Sequence, residues 1–379
     1  MKYLIIAVLF NFHVTHAQSL NENIISNLPN ILNESSGLER DGEGNFWSHN
    51  DSGGEPELYH FSEDGILLHT IKIANVQNND WEDIALGSNG RMYVGDFGNN
   101  GNDREDLMIY IVNMNNLNPG FNLRSASIIN FSYTEQTAFP PSDSKKNFDA
   151  EAMIYKNDSL FIFTKNRTQP FDGKCYQYYL PAIAGSYEIS RSDTFYIIGA
   201  DVESRVVGAD FDTTTNKLAL LTSTKVLIFN AQESNKLISS STEVLSFVNI
   251  TQKEGICWGD SCKLYFTDEF IEILNLGGKL YSAEICDPLH QEKFDESEFV
   301  IFPQPSSELI FIKIKKNASV KRNISGELLT SSGDFVNKMN WNSSENKGEI
   351  STKNLQKGLY LLHLKENNLS LNVLKIMVY

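Results

Sequence analysis

Apolar and polar positions change places along this chain in short runs that come in pairs, and the pairs recur. ESSGL (Glu34 to Leu38) is followed across a turn by FWSHNDSG (Phe46 to Gly53), and EDIAL (Glu82 to Leu86) by MYVGDFGNN (Met92 to Asn100). EAMIY (Glu151 to Tyr155) precedes LFIFTKN, VGADF (Val207 to Phe211) precedes LALLTST, and EGICW (Glu254 to Trp258) precedes LYFTDE. Alternation at period two predicts strands, and Asp41-Gly42 and Asp64-Gly65 predict hairpin turns. Outer strands follow in most units: ELYHFSE and ILLHTIKI in the first, DLMIYIVNM and SASIINFSY in the second, KCYQYYL and DTFYIIGA in the third, KVLIFNA and TEVLSFV in the fourth. The fifth shows only KLYSAEI.

Units of two hairpins at intervals of 47 to 69 residues predict an all-β chain built as a β-propeller. NIISNLP (Asn23 to Pro29) stands before ESSGL as HTIKIAN stands before EDIAL, so it is expected to supply the fourth strand of the last unit. Closing the ring from both chain ends leaves no exposed sheet edge. Five blades are expected. Six is the alternative, should the insertions around Asn99 to Asp106 and Thr134 to Asn147 hide another unit, and the irregular spacing disfavours a parallel solenoid.

The final stretch has a pattern of its own. ELIFIKI, GLYLLHL and LNVLKIMV alternate strictly, predicting a small antiparallel β-sandwich over residues 299–379. An acidic linker at 291–298 separates it from a propeller at 18–290. Residues 1–17 read as a signal peptide, with Lys2, an apolar run from Tyr3 to Phe12, and Thr15-His16-Ala17 before the cleavage point. That run is half the length a membrane-spanning helix needs and no later run qualifies, so no transmembrane helix is expected.

Charge narrows the choice of partners. The formal net charge is -16, and residues 1–292 carry 20 Lys and Arg against 39 Asp and Glu, whereas the remainder is slightly basic. An acidic propeller excludes nucleic acid as a partner and suits cations or basic ligands, though acidity also serves solubility alone. Of the four cysteines, Cys257 and Cys262 flank a WGDS turn where a disulfide forms if the register allows. Cys175 and Cys286 read as buried thiols.

In a propeller the inner strands begin where the second strands end, so polar residues from every unit converge on one mouth. Glu34, Glu82, Glu151 and Glu254 come from strand starts, and Asn50, Asp51, Asp96, Lys165, Asn166, Asp268 and Glu269 from strand ends. Val207 interrupts the series. Crowded carboxylates must take up protons, pair with cations or hold a metal, and calcium with its oxygen ligands fits the set Glu34, Glu82, Glu151, Glu254, Asp96 and Asp268. The competing reading makes each glutamate an acceptor for backbone amides of the next blade. DFGNNGNDRED (Asp96 to Asp106) is rich in oxygen ligands but lacks the EF-hand spacing, and a structured turn around Arg104 explains it equally. NDSG reads first as turn chemistry. Nucleophile elbows, zinc-protease motifs and phosphate loops are absent. His49 and Asp51 are the candidate proton-transfer residues, with a packed, satisfied His49 as the plainer alternative. Trp47, Trp81 and Trp258 read as packing between blades.

ESSGL, NDSG, DWEDIA and YVGDFGNN followed by Arg104 resemble the signature blocks of a family of secreted bacterial propellers, largely of unassigned activity, from Glu34 to about Tyr110. More distantly the chain looks like calcium-dependent propellers that include phytase-type phosphoesterases and lactonases. The C-terminal segment resembles the sorting domain of the type IX secretion system through Pro303, Pro305, Leu355, Lys357-Gly358-Leu359-Tyr360 and Lys375, with Pro303-Gln304-Pro305 where that family usually has Pro-Asn-Pro. The resemblance implies export to the medium or the outer-membrane surface by type IX machinery acting through residues 299–379. The cargo is then a module binding an extracellular ligand or, alternatively, a calcium-dependent hydrolase of phosphate esters or lactones.

Overall fold

The computed structural model describes residues 18–379 apart from 198, 200, 232–234, 239–242, 261, 286–298, 304, 307, 315–322, 331–334, 367–368 and 379. The expected leader, the linker at 291–298 and Cys286 lie outside the described residues. The chain splits into two compact units, Met1–Ile285 and Cys286–Tyr379.

Each repeat of the first unit becomes an antiparallel sheet because its apolar positions face both neighbours. The inner strands are Ser35–Arg40, Trp81–Leu86, Asp149–Lys156, Val206–Asp212 and Lys253–Asp260, each leading a sheet of its own. They touch in sequence around a ring, and the last meets the first. Five buried hydrophobic clusters lie between successive sheets. Phe46, Phe61 and Leu38 of the first sheet close the circle against Tyr265, Leu280 and Cys257 of the fifth. This is a β-propeller, and its described residues make five sheets.

Asn23–Asn27 pairs antiparallel with Lys279–Glu284 as the outer strand of the fifth sheet. Three further strands escape the repeat pattern. Gly120–Arg124 joins Leu67–Ile73, Gly185–Ile189 joins Ala126–Tyr133, and Gln18–Leu20 joins Glu243–Phe247, all parallel and all at an outer edge. Each lies just before the outermost strand of one sheet and pairs with an earlier sheet, so it covers an otherwise open edge.

The second unit holds two four-stranded sheets. Ile310, Ile312, Leu328, Leu362, Leu364 and Ile376 fill the space between them, which is the sandwich that the alternation predicts. Among the described residues no helix is long and apolar enough to cross a membrane. The register also corrects a pairing: Cys257 lies opposite Tyr265 across the hairpin, not opposite Cys262. Cys257 and Cys175 are buried free thiols, while Cys262 is disulfide-bonded.

Candidate metal centre

Every inner strand carries one β-bulge near its start. The residue passed over in the pairing is Gly37, Glu82, Glu151, Val207 or Glu254 in sheets one to five. A bulge re-aims one side chain out of the pleat, and here it does so at one level of the ring. The register therefore moves Glu34 out of the series: Gly37 takes the ring position of the first sheet, and Glu34 lies three residues upstream and exposed. Gly37 is bound to that place, because its φ of +58° suits glycine and a side chain there would press on His49 and on the backbone at Ile84.

Two residues before Glu82 and Glu151 stand Asp80 and Asp149, giving the same D-x-E triplet in the second and third sheets. The structure gathers ligand oxygens of Asp51, Asp80 and Glu82 within 4.8 Å of one another, and likewise those of Glu82, Asp149 and Glu151. Glu82 belongs to both groups. Asp80 and Asp149 escape a reading based on the first residue of each repeat; the duplicated triplet is the signal that reveals them.

The two groups differ in how they are neutralised. Arg167 Nε donates to Asp149 Oδ2 at 2.6 Å and Nη2 to Glu151 Oε1 at 3.0 Å, while Lys165 Nζ donates to Glu151 Oε2 at 3.0 Å. Asn99 N–H also donates to Asp149 Oδ1. On the other side, Asp51 Oδ1 accepts only from Ser52 N–H among the described residues. Among the described residues, no hydrogen bond reaches the carboxylates of Asp80 or Glu82, although Glu82 is only 6% exposed. The backbone at Gly98 comes down on both, and any side chain there would collide with them.

Burial and mutual repulsion raise the carboxyl groups. Burial, then Glu151 and Asp51, lift Glu82 well above the usual carboxylate range. Burial and Asp149 raise Asp80. Burial pushes Asp51 up to about 6, Asp149 to about 7 and Glu254 to about 8. Glu269 rises to about 7 through burial, Asp51 and Glu34. Burial opposes the charge of Lys165, yet Glu151, Glu254 and Glu82 hold its ammonium well above its ordinary range. Lys165, Arg167 and Arg104, the last paired with Asp96, thus serve a larger set of carboxylates, and the deficit falls on Asp51, Asp80 and Glu82.

Asp96 and Asp268 have other work. Asp96 accepts from Tyr110 Oη at 2.8 Å, Asn79 Nδ2 at 2.9 Å and Arg104 Nη2 at 2.9 Å. Asp268 accepts from Tyr281 Oη at 2.7 Å and Lys279 N–H at 2.9 Å. In both sheets the carboxylate ending the second strand fastens the tyrosine of the third. Their lone pairs are spent inside the sheet.

The loop from Asp96 to Asp106 is a structured turn. Asn99 Oδ1 accepts from the N–H groups of Asp103 and Arg104, and Arg104 Nη1 holds Gly98 O at 2.8 Å. His49 is fully buried, with Nδ1 2.9 Å from Asn50 O and its ring edge-on to Trp81. Burial lowers it to about 4, so it is neutral, and its place against Gly37 makes it packing rather than a solvent-facing base. Acceptors for neighbouring backbone amides do exist, on other residues. Glu39 accepts from Leu86 N–H, Asp83 from Met153 and Ala209 N–H, and Asp210 from Trp258 N–H. Glu39 and Asp210 line a separate cavity of about 660 Å³ with Tyr155 and Trp258.

Comparison with known proteins divides the chain in the same way. Residues 300–379 match the family described as the secretion system C-terminal sorting domain. That domain implies handling by type IX secretion machinery and secretion or attachment at the cell surface. No curated protein sequence matches the chain. Similar solved structures include the PQQ-bound aldose sugar dehydrogenase of Streptomyces coelicolor, 9% identical over 72% of this chain and 99% of that one, with a TM-score of 0.42. A putative gluconolactonase is 12% identical over 66% of this chain and 74% of that one, TM-score 0.36. A Lactobacillus plantarum protein is 10% identical over 91% and 95%, TM-score 0.32. At these values none speaks to activity.

Proposed function

We propose that the propeller is the working part of a type IX cargo: an extracellular binding module whose mouth takes a divalent cation of the calcium class at Asp51, Asp80 and Glu82. The observation that carries this is Glu82, a carboxylate 6% exposed with no hydrogen-bond partner among the described residues and with ligand oxygens of Asp51 and Asp80 within 4.8 Å. A largely buried carboxylate is stabilised by a proton, water, a donor or a metal, and the cationic donors nearby, Lys165, Arg167 and Arg104, are engaged by Glu151, Asp149 and Asp96. Three carboxylates offer enough oxygens for most of a calcium shell, water completing it. Glu151 and Glu254 then act as neighbours that set the charge of the mouth.

Calorimetric titration of the purified full chain with calcium, repeated with Glu82→Gln, tests the reading. Saturable binding in the native protein and its loss in the variant are expected; equal behaviour of the two removes Glu82 from the site. A second reading, hydrolysis of phosphate esters or lactones, draws on the same centre, with Asp51, half-buried at the mouth, among the groups that hold the cation. There the cation would polarise the substrate. Turnover of such esters that chelator abolishes and Asp51→Asn lowers at least a hundredfold would favour the hydrolase over the binding module.

A further inference from the structure

The rim beside this centre carries a second feature. Between Asp268 and Lys279 the chain of the fifth sheet projects as a tip in which Ile273 is 96% exposed, Leu274 65%, Leu276 43% and Phe270 38%. Ile250 and Ile31, 68% and 44% exposed, lie on neighbouring connections. Hydrogen bonds tie the three segments into one surface: Glu269 N–H donates to Gln252 O at 3.0 Å and Phe270 N–H to Asn33 O at 2.8 Å. The tip is preformed. Ile271 N–H reaches Leu276 O at 2.7 Å, Asn275 closes the turn at φ 48°, and Gly277 at φ 90° packs so closely on Glu269 O that no side chain fits. Soluble proteins rarely expose aliphatic side chains so densely without a partner.

We propose that this sector docks onto an anionic phospholipid surface, with Ile273 and Leu274 entering the interface and a divalent cation linking the lipid phosphate to the carboxylates of the mouth. The inference rests on the cation reading above. Three observations select lipid as the occupant. The apolar residues form a convex tip rather than a groove, and a fluid layer accepts a protrusion without a complementary pocket. The mouth next to it is acidic, with Glu269 sensing Asp51 and Glu34, so two copies facing each other through this sector would repel. The same acidity repels anionic lipid until a divalent cation reverses it, which makes lipid phosphate and cation complementary to the site together. The sorting domain, finally, directs the chain toward a cell surface.

The test is co-sedimentation of the full chain with vesicles of phosphatidylcholine alone, or of roughly three parts phosphatidylcholine to one of phosphatidylglycerol, with about 1 mM calcium or with chelator. Binding is expected on the mixed vesicles with calcium, and at least about tenfold less in chelator or on phosphatidylcholine alone. The double variant Ile273→Ser, Leu274→Ser removes it while keeping the melting temperature and the calorimetric calcium affinity of the native protein. Calcium binding without vesicle binding, vesicle binding unchanged by the double variant, or self-association in sedimentation velocity that the double variant abolishes would each overturn the lipid proposal. An absence of calorimetric calcium binding would instead overturn the cation reading, so the two failures are distinguishable.

Discussion

With both oxygens unpartnered among the described residues and acidic neighbours on either side, Glu82 is stabilised by a proton or by a shared cation. Two expectations follow at the scale of single side chains. In chelator the native Glu82 must take up a proton to stay buried, which Glu82→Gln makes unnecessary, so the variant is expected to stabilise the propeller by about 1 kcal/mol at pH 8, while cancelling the rise in melting temperature that calcium gives the native protein. The second concerns pH. Asp51, Asp149, Glu269 and Glu254 titrate at about 6, 7, 7 and 8 in the fold, against roughly 4 when unfolded. Between those limits the folded state holds more protons, so stability falls as pH rises from about 5 to 8. His49, lowered to about 4, acts oppositely, losing stability as pH falls below its unfolded value of roughly 6.5, but it is one group against four. Thermal melts of the metal-free protein are therefore expected to drop from pH 6 to pH 8. Calcium is expected to restore only the share of that loss carried by Asp51, the one of the four at the proposed cation site, and a flat profile in the metal-free protein would exclude the raised carboxyl groups.

Strands explain why some residues were legible in the sequence and others were not. The acid-led hairpins mark each inner strand, and the alternating runs mark the rest of every sheet. What the sequence hides is the bulge. The unpaired residue of the first inner strand is Gly37, three residues on from Glu34, so a repeat aligned on its acidic first letter sets that sheet three residues out of step. Asp96 and Asp268 look like ligands because they end strands at the mouth, yet each accepts a hydrogen bond from a tyrosine of the next strand, whose own register partner lies two residues back, Val94 for Tyr110 and Phe266 for Tyr281. The Asp-to-Tyr contact recurs in two sheets and is a fastener within the sheet. Tyr281→Phe is expected to cost about 1.5 kcal/mol in chemical unfolding, as for a hydrogen bond to a charged group, with the calcium affinity unchanged. The parallel edge strands such as Gly120–Arg124 were invisible for a different reason: an outer strand needs little hydrophobic patterning when one face and one edge meet water.

At the scale of the whole molecule, the ring depends on the segment from Gln18 to Asn27. It supplies an edge to the fourth sheet and the outer strand of the fifth. It also carries Glu22, whose side chain is 1% exposed and lies 3.5 Å from the buried ammonium of Lys253. That ammonium sits over the rings of Phe247 and Tyr281. Glu22→Ala leaves Lys253 buried without its counter-charge and is expected to cost roughly 3 kcal/mol, read as a shift in the denaturant midpoint at constant slope. Ring closure of this kind was legible, because the opening apolar run has the pattern of an outer strand and the fifth repeat lacks one. A division into two units also goes with what the sequence shows near the linker, where the acid-led repeat ends and the charge balance turns slightly basic. The partner of the mouth was not, since carboxylates in a repeat have the same letters whether they bind a cation, a tyrosine or a backbone amide.

The fifth sheet joins one of the first-made strands of the propeller to its last described strand, Asn23–Asn27 to Lys279–Glu284. During synthesis the early partner therefore waits, unmatched, until the late one emerges. Contacts so distant along the chain are slow to form, so the molecule locks only when nearly all of its propeller is available. For a polypeptide that must leave the cell, that delay is an interval in which it can still be threaded.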